Sequence, residues 1–453
     1  MYHRHTVIGN AGTVRSICID RVVFERDENG GPDILRIVGP TSTPQPAPSS
    51  LCFESSFSTV TDQVRGVPYS RIYVLQDGRF LCVWTERERT TEIPRMMGAF
   101  SSDKGETWTA PRELYRDGDP DKTLANADII QLEPTGGAAY GEILIAYRAN
   151  DTFVPRTAAE ACDYASSIRV ISSTDNGETF HAHSVVREEF EENVYGSVGL
   201  WEPCFGYLNG KLTCIYAVGM SLSTGKIAST DISEWNGQAW VKNETYQAAE
   251  GTFCSGKNGM PIWQPLAGGG YLCAVETNRY KTTRGNILLP YLLYSADGVL
   301  WRDLTCAHFP ETGQGICGAP YCVELPDGRL AIAFQSNEDA LADGSAVMSA
   351  SDPTKAENSN NDKAIRVVFS KKSVAELLKM AIPDPAASTL EEQERFVSDN
   401  FTEPVTVLAY TAGVKQNWAG MFLDDGYLYL YFGTNQTVPY GDIVLTRTPV
   451  PGA

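Results

Sequence analysis

The sequence predicts an all-β fold, a β-propeller of six four-stranded blades, and two repeated patterns lead to this prediction. The first is a hairpin in which a short strand, a tight turn containing Gly and a strongly apolar strand follow one another. Six copies occur about 60 to 100 residues apart, a spacing that suits one four-stranded blade for each copy. The copies are Tyr69–Trp84, Asn126–Tyr147, Trp201–Tyr216, Gly259–Val275, Gly318–Phe334 and Trp418–Phe432.

The second pattern is a turn motif that follows several of the hairpins. Ser101–Trp108 reads SSDKGETW and Ser173–Phe180 reads STDNGETF, and both match the Asp-box, S-x-D-x-G-x-T-W/F. Ser295–Trp301 is one residue shorter and Ser229–Trp240 is longer, so these two copies are assigned by their position. We expect the Asp to cap backbone amides, the Gly to supply a positive φ and the aromatic residue to pack between blades. The motif therefore predicts structure and carries no chemistry.

The ends of the chain are expected to complete the ring within a single domain that spans residues 1–453. Residues 1–50 would close the ring against the C-terminal blade. A strand in the Val14–Phe24 region would then lie beside Ile443–Thr448, because a closed ring removes exposed sheet edges.

One helix is predicted, over Ser373–Phe396. The segment is rich in Ala, Leu, Glu and Lys, which favour helix. Pro383 and Pro385 interrupt it, because Pro lacks the backbone N–H that a helix interior needs. Its position after the fifth hairpin makes it an insertion in blade five.

Composition restricts the partners. The chain has 453 residues and a formal net charge of −19, which disfavours nucleic acid and anionic membranes. It contains no run of about 18 apolar residues, so no membrane span is predicted. We expect a monomer that acts on an oligosaccharide or polysaccharide. The first residues show no signal-peptide core, so the protein is cytoplasmic if Met1 is native and extracellular if the chain begins after processing.

No cofactor or metal is predicted. The five histidines and eleven cysteines form no CxxC or Cys/His cluster, and no Gly-rich loop for holding phosphate is present. Cys82, Cys214 and Cys273 lie within apolar strand patterns, where a free cysteine behaves as a small buried hydrophobe. A dense disulfide framework is therefore not expected, although one or two bridges remain open.

The order of strands in a blade indicates which face would hold a site. In an antiparallel blade A-B-C-D, the A–B and C–D turns share one face, and the start of A and the end of B share the other. The Gly hairpin turns are A–B and the Asp-boxes are C–D, so the opposite face is the candidate. Residues that open strand A or close strand B line it: Arg71, Asn126, Asp128, Glu202, Met260, Pro320 and Trp418, with Glu86, Arg148, Glu276 and Gln335.

This mixture of side chains favours a carbohydrate ligand. Charged residues are improbable at the rim of a packed sheet unless they are paired or used. Polar groups can hold hydroxyls, and the rings of Trp201, Trp263 and Trp418 can stack on sugar faces. The alternative for each Trp is packing between blades.

Two carboxylates stand out for hydrolysis. Glu202 opens strand A of blade three and Glu276 closes strand B of blade four, so neighbouring blades bring both to one side of the pocket. A retaining glycosidase needs two carboxyl groups about 5–5.5 Å apart, and an inverting one roughly 6.5–9.5 Å. The alternative for each Glu is a salt bridge to Arg148 or Arg279.

The hairpins and Asp-boxes resemble the sialidase-like superfamily of propellers. Within it, the chain resembles glycoside hydrolase family 93, the exo-arabinanases, at several short motifs. These are Leu200-Trp201-Glu202-Pro203, Gly259-Met260-Pro261, Ala274-Val275-Glu276, Asn126 with Ala146-Tyr147-Arg148, and the region of Trp418.

The resemblance implies an exo-acting retaining hydrolase that releases arabinobiose or short arabinose units from the end of α-1,5-L-arabinan. It also implies that Glu202 and Glu276 are the catalytic carboxylates. We expect Glu202 as nucleophile and Glu276 as acid/base, and the reverse order stays open. In this hypothesis the substrate is bound by Arg71, Asn126, Asp128, Arg148, Trp201, Met260, Trp263, Gln335 and Trp418.

Other classes remain open. Arg71-Ile72 resembles the first arginine motif of sialidases, but Asn417-Trp418-Ala419-Gly420 stands where the sialidase tyrosine is expected. A non-catalytic carbohydrate-binding propeller would keep the aromatic residues and lose a carboxylate. A polysaccharide lyase needs a base, often His or Tyr, and no histidine lies at the rim positions. A purely structural propeller predicts a rim without charge.

Overall fold

The computed structural model divides the chain into two compact units, Met1–Leu51 and Cys52–Ala453. In the first unit it describes four short strands. In the second it describes residues 53–54, 56–64, 68–88, 91–118, 121–151, 158–194, 198–219, 229–244, 247–248, 258–277, 281–282, 285–310, 315–347, 363–384, 387–435 and 441–450.

The first unit contains two small antiparallel sheets. β1 (His5–Ile8) pairs with β2 (Val14–Ile17), and β3 (Arg21–Glu25) pairs with β4 (Ile34–Val38). The residues predicted as one strand, Val14–Phe24, therefore contribute to two strands that pair with neighbours in the sequence.

The second unit is all-β and propeller-like. Its strands are β5 (Ser58–Val64), β6 (Ser70–Val74), β7 (Phe80–Arg87), β8 (Pro94–Ser101), β9 (Arg112–Arg116), β10 (Ala125–Gln131), β11 (Ile143–Arg148), β12 (Cys162–Ser173), β13 (His181–Val194), β14 (Leu200–Leu208), β15 (Lys211–Val218), β16 (Ser229–Trp235), β17 (Trp240–Lys242), β18 (Gln247–Ala248), β19 (Asn258–Pro265), β20 (Tyr271–Thr277), β21 (Lys281–Thr282), β22 (Gly285–Ser295), β23 (Leu300–Cys306), β24 (Gly315–Glu324), β25 (Leu330–Ser336), β26 (Ala364–Phe369), β27 (Val405–Leu408), β28 (Gln416–Asp424), β29 (Tyr427–Thr434) and β30 (Gly441–Pro449). Four sheets have four antiparallel strands each, in the orders β6-β7-β8-β9, β10-β11-β12-β13, β14-β15-β16-β17 and β28-β29-β30-β5.

The last of these sheets corrects the prediction about ring closure. β30 pairs antiparallel with β5, so the edge next to the C-terminal strand is occupied by Ser58–Val64. The Val14–Phe24 region was predicted for this position, and that prediction is wrong. The strand in this position, Ser58–Val64, follows residues 1–50, which were expected to supply it.

The remaining strands of the second unit form one ten-stranded sheet in the described residues. It contains two antiparallel groups, β19-β20-β22-β23 and β24-β25-β26-β27. Parallel pairing of Ile287 with Gly315 and of Leu288 with Ile316 joins the groups. The hairpins predicted for blades four and five are therefore present, but in one continuous sheet.

The second strand of each hairpin is the most deeply buried element. Ile143–Tyr147 of β11, Leu272–Val275 of β20 and Leu330–Phe334 of β25 are all at most 1% exposed. Neighbouring sheets pack through these strands: the ring of Phe80 meets that of Tyr429 edge to face, with 5.4 Å between centroids. Each such aliphatic or aromatic side chain contributes roughly 1.5–3 kcal/mol on burial. Eight cysteines of the described residues carry free thiols, and seven of these are buried.

The two segments of eight residues that were predicted to be Asp-boxes have the same turn geometry. Asp103 accepts the N–H of Thr107 at 2.9 Å and its hydroxyl at 2.6 Å, and Gly105 has a φ of 86°. Asp175 makes the same two bonds to Thr179, at 2.8 and 2.5 Å. Both turns thus use a carboxylate to satisfy a backbone N–H and a Gly to reverse the chain.

The hairpin turns and the turns between third and fourth strands lie on one face. Asn176, in the turn after β12, donates to Asp77 in the turn after β6 at 2.7 Å. Asn209, in the turn after β14, donates to the carbonyl of Asp297 in the turn after β22 at 2.8 Å. The starts of the first strands and the ends of the second strands therefore lie at the opposite face.

Helices are few and short. They are α1 (Glu338–Ala342), α2 (Val374–Leu377) and α3 (Leu390–Asn400), with a 3₁₀ turn at Ala158–Glu160. The single helix predicted over Ser373–Phe396 is two helices, each with its own capping box, at Ser373 and at Thr389. Pro383 lies between them, in agreement with its role as a helix breaker. No helix among the described residues is long and apolar enough to cross a membrane.

Candidate active site

Five first strands, β10, β14, β19, β24 and β28, each contain a β-bulge near the start. Every bulge contains a residue other than Gly with a positive φ: Asn126 (53°), Glu202 (54°), Met260 (53°), Ala319 (48°) and Trp418 (57°). Such backbone costs on the order of 1–3 kcal/mol per residue and is concentrated at functional sites. β6, the first strand of the remaining hairpin, pairs without a register break. The bulges thus mark the face predicted from strand order.

The N–H groups of three bulge residues are accepted by side chains of the preceding hairpin. Oε2 of Glu202 accepts from Met260 at 2.5 Å, and Oε2 of Glu276 accepts from Ala319 at 2.9 Å. Oε1 of Gln335 accepts from Trp418 at 3.0 Å. Because Gln335 makes this bond with a neutral amide, the bond itself does not require an ionisable group. Each bond fixes one side-chain atom of the rim.

Glu202 and Glu276 lie next to each other. A methyl group on Gly259 would be 3.0 Å from Oε1 of Glu276 and 3.4 Å from Oε2 of Glu202. The two oxygens are therefore at most 6.4 Å apart, the sum of 3.0 and 3.4 Å. This limit on one pair of oxygens is compatible with the separation of about 5–5.5 Å between the carboxyl groups of retaining glycosidases. Glu276 is 5% exposed and Glu202 is half-buried.

Arg148 lies beside Glu202. Its guanidinium covers the ring of Trp201, 3.9 Å from the ring centre, and Trp201 directly precedes Glu202. Burial lowers the pKa of Arg148, and the negative charge of Glu202 opposes this effect. Within the described part of the chain, the buried Nε and Nη1 of Arg148 have no hydrogen-bond partner. They are donors that a ligand can use.

A second charged group surrounds Arg71, which is 3% exposed. Its Nη2 donates to the Tyr69 hydroxyl, and its Nε lies 3.7 Å from Oδ1 of Asp128. Burial raises the pKa of Asp128 to about 6, although Arg71 and the N–H of Phe205, which donates at 2.7 Å, lower it. The buried Oδ1 of Asn126 has no hydrogen-bond partner among the described residues. The first three hairpins thus contribute a mixed set of donors and acceptors at this face.

An apolar contact lies between the two groups of polar residues. Tyr69, Met260 and Ala319 pack together, with Trp418 against them. The rings of Tyr69 and Trp418 are 5.7 Å apart and tilted by 53°. This contact supplies an aromatic surface of the kind that sugar-binding sites use.

Two tyrosines near Arg71 were missed from the sequence. The guanidinium of Arg71 lies 5.5 Å from the ring centre of Tyr321. Burial raises the pKa of Tyr431 to about 12, and the charge of Arg71 lowers it. The glycine at position 420 is the sequence feature related to this site, because a methyl group there would be 2.2 Å from the Tyr431 hydroxyl.

Trp263 does not join this face. It is 5% exposed and lies in the core, where its indole N–H donates to the carbonyl of Cys204 at 3.3 Å. A methyl group on Gly206 would be 2.6 Å from its ring. The expected stacking wall at Trp263 is replaced by packing between strands. Glu86, which was also predicted to lie at the rim, forms a salt bridge with Arg95, with 2.5 Å between its Oε1 and Nη2 of the arginine.

One group of the described residues has the composition of a metal site. His308, Cys317 and Glu338 place potential ligand atoms within 4.8 Å of one another. However, Oε2 of Glu338 already accepts from Arg366 at 2.8 Å and from Ser336 at 2.6 Å. A guanidinium at this distance neutralises the carboxylate and repels a cation. The arrangement fits a buried ion-pair cluster better than a metal centre.

Comparison with known proteins now adds to this geometry. No protein-family model and no curated protein sequence matches the chain. Among solved structures, the GH93 α-L-arabinofuranosidase of Fusarium graminearum with arabinobiose aligns with a TM-score of 0.54 and 14% identity, over 87% of this chain and 98% of that one. The α-L-arabinanase of Penicillium chrysogenum with arabinobiose aligns with a TM-score of 0.54 and 16% identity, over 89% and 99%.

A mutant of the Fusarium graminearum enzyme with an iminosugar inhibitor aligns with a TM-score of 0.55 and 14% identity, over 87% of this chain and 97% of that one. This chain has the fold of the family 93 glycoside hydrolases. At this level of identity the similarity to family 93 shows the fold alone, and the reaction is argued from the side chains.

Proposed function

We propose that this protein is an exo-acting, retaining glycoside hydrolase that releases arabinobiose or short arabinose units from α-1,5-L-arabinan. The observation that carries the proposal is that Glu202 and Glu276 both lie against Gly259, with oxygens at most 6.4 Å apart, the sum of 3.0 and 3.4 Å. Two carboxyl groups at such a distance suffice for double displacement at an anomeric carbon.

Glu202 is the proposed nucleophile. The Met260 N–H and the charge of Arg148 both favour its ionised form. A Glu202 oxygen forms a bond to the anomeric carbon while the bond from that carbon to the leaving oxygen breaks.

Glu276 is the proposed acid/base. It is the more buried of the two carboxyls, so desolvation opposes its ionised form more than that of Glu202, although the Ala319 N–H that it accepts acts in the other direction. It gives its proton to the leaving oxygen in the first step. In the second step it takes a proton from water, which attacks the anomeric carbon and releases Glu202.

The surrounding residues would bind the sugar. Arg148 supplies donors that lack partners among the described residues, and Asn126 supplies an acceptor. Trp201 and Trp418 supply aromatic faces, and Arg71 with Asp128 supplies a second polar group. The arabinobiose complexes of the two fungal enzymes, which share the fold, support an arabinose-containing substrate.

We also propose that the main unit is a six-bladed propeller with Asp-box turns. The ten-stranded sheet would supply blades four and five, each with four antiparallel strands. The helices between β26 and β27 would then be an insertion in blade five.

The first test is incubation with linear α-1,5-L-arabinan and, separately, with a sialoside, followed by identification of products by mass spectrometry. Release of arabinobiose or short oligomers from one chain end supports the proposal, and proton NMR of the first product distinguishes retention from inversion. Intact arabinan with a folded protein rejects the substrate. Cleavage of the sialoside would indicate a sialidase. A polysaccharide that contains uronic acid, tested separately, would indicate a lyase if its products absorb near-ultraviolet light.

A further inference from the structure

Two glycines contact the carboxyl group of Glu276. A methyl group on Gly259 would be 3.0 Å from Oε1, and one on Gly318 would be 2.7 Å from Oε2. Gly259 is the cross-strand partner of Glu276, and Gly318 belongs to the next hairpin. The carboxyl group therefore occupies a slot that both glycines leave open.

The backbone does not explain these glycines. Each directly precedes a bulge residue, and the same position in the other bulged strands is Ala125, Trp201 and Asn417. Neither Gly259 nor Gly318 has a positive φ. Larger residues are thus compatible with the bulge, and Gly occurs at the two copies that contact Glu276.

The bulge residue after the second glycine fixes the orientation of the carboxyl group. Ala319 donates its N–H to Oε2 at 2.9 Å. In a protonated carboxyl group the carbonyl-type oxygen is the better acceptor, so the N–H of Ala319 favours the state in which Oε2 is that oxygen. The acidic proton of Glu276 is then on Oε1. This oxygen lies against Gly259, and Oε2 of Glu202 lies against the same glycine.

We infer that Gly259 and Gly318 are positioning residues that seat Glu276 so that Ala319 holds Oε2 and Oε1 carries the transferable proton. This inference rests on the proposed hydrolase function, because it assigns the atom of Glu276 that acts as acid. The inference also predicts the effect of adding a methyl group to the slot. A methyl group on Gly318 would be 2.7 Å from Oε2 of Glu276 and 3.0 Å from Cδ2 of Leu288, both at the ends of side chains, so we expect the carboxyl group to move and the leucine to adjust while the fold remains.

The variants Gly318→Ala and Gly259→Ala test the inference, with Gly268→Ala as matched control. Gly268 lies in the turn of the Gly259 hairpin, and a methyl group there has nothing within 4 Å. Two substrates are compared: an arabino-oligosaccharide, whose poor leaving group needs an acid, and a dinitrophenyl arabinoside, whose leaving group does not. General acid catalysis contributes about 10²–10⁴-fold.

We expect Gly318→Ala and Gly259→Ala to lose about 100-fold or more of kcat on the oligosaccharide, with KM nearly unchanged. On the dinitrophenyl substrate the loss of kcat/KM should be below about 10-fold, since kcat/KM reports the first step, in which this leaving group needs no acid assistance. Gly268→Ala should behave as the unsubstituted protein on both. Equal losses on both substrates, or no loss on either, would overturn the inference.

If the unsubstituted protein cleaves neither substrate, the proposed function fails. A crystal structure of Gly318→Ala then tests separately whether the glycine positions the Glu276 carboxyl group. Displacement of the Glu276 carboxyl group with loss of the bond from Ala319 supports the seating role. An unmoved carboxyl group overturns it.

Discussion

Oε2 of Glu276 accepts the backbone N–H of Ala319 at 2.9 Å, so this carboxyl group joins two hairpins in addition to its proposed chemistry. The amide of Gln335 makes the same kind of bond to Trp418 in the next hairpin. Substitutions at position 276 can therefore separate the contribution of this side chain to stability from its contribution to catalysis.

Glu276→Gln should lose about 10²–10⁴-fold of kcat on arabino-oligosaccharides, because the amide cannot donate the proton. Its free energy of unfolding should change by no more than about 0.5 kcal/mol, since the amide oxygen still accepts from Ala319. Glu276→Ala should lose a further 1 to 3 kcal/mol or so, because the buried N–H is left unpaired. Urea unfolding and steady-state kinetics measure both effects. Gln335→Ala is the structural control, and identical stability of the Gln and Ala variants at 276 would contradict this prediction.

Arg148→Met should shift the acid limb of the kcat/KM profile to higher pH, by about one unit. The positive charge of Arg148 favours the ionised form of Glu202, and its removal makes that form harder to reach. Arg148→Lys keeps the charge and loses the planar contact with Trp201, so its acid limb should stay while KM rises. The prediction fails if Met and Lys at this position give the same pH profile.

Asp128→Asn should weaken the dependence of stability on pH. Burial raises the pKa of Asp128 from 3.8 to about 6, so between these values the folded state binds more protons than the unfolded state. The stabilisation by this group is complete below about pH 4 and is lost as the pH rises through about 6. Asn keeps the acceptor for Phe205 and does not titrate, so the fall in unfolding free energy from pH 4 to 7 should shrink by up to about 3 kcal/mol. Chemical unfolding at both pH values measures this, and an unchanged fall counts against the prediction.

Glu338→Gln should destabilise the protein most at neutral pH. Burial raises the pKa of Glu338. Its hydrogen bonds with His308 and Ser336 and the charges of His308 and Arg366 outweigh burial and lower the pKa to about 2. Its stabilisation is present above the unfolded value of 4.5 and is lost as the pH falls towards 2. Removing this carboxylate breaks its ion pair with Arg366, which keeps the pair with the more exposed Asp339 at 2.6 Å, and removes the buried partner of His308, at a cost of about 3 kcal/mol. Thermal unfolding at pH 7 and pH 3 should show a larger loss at pH 7, and an equal loss at both would refute the linkage.

The hairpins could be predicted because their signal is local. Asp77-Gly78, Asp327-Gly328 and Asp425-Gly426 are turns in which Gly takes a φ of 84°, 80° and 78°. The same strand-order argument named Glu202 and Glu276 as neighbours, since it needs only the direction of each strand.

Features that depend on contacts distant in the sequence were not predictable. The alternation of Ser58–Val64 suits an edge strand as well as Val14–Phe24 does, and only the finished ring selects between them. The bulges were also missed, because nothing in the hairpin pattern shows a residue such as Ala319 with positive φ. A bulge adds one residue to its strand and changes which face the following residues occupy. Trp263 lies in the core because it is the sixth residue of β19, away from the start of the strand where the rim residues lie.

The sheet that contains both β5 and β30 affects how the protein is made. The bond from the Thr446 hydroxyl to the carbonyl of Glu54, 2.9 Å long, joins residues 392 positions apart. At about 5–20 residues per second, a ribosome needs roughly 20 to 80 seconds to synthesise the chain between them. During that interval β5 has left the ribosome and its partner does not yet exist. The nascent chain therefore carries β5 without its partner strand for most of its synthesis, and the four-stranded sheet is completed only when the last strand is released.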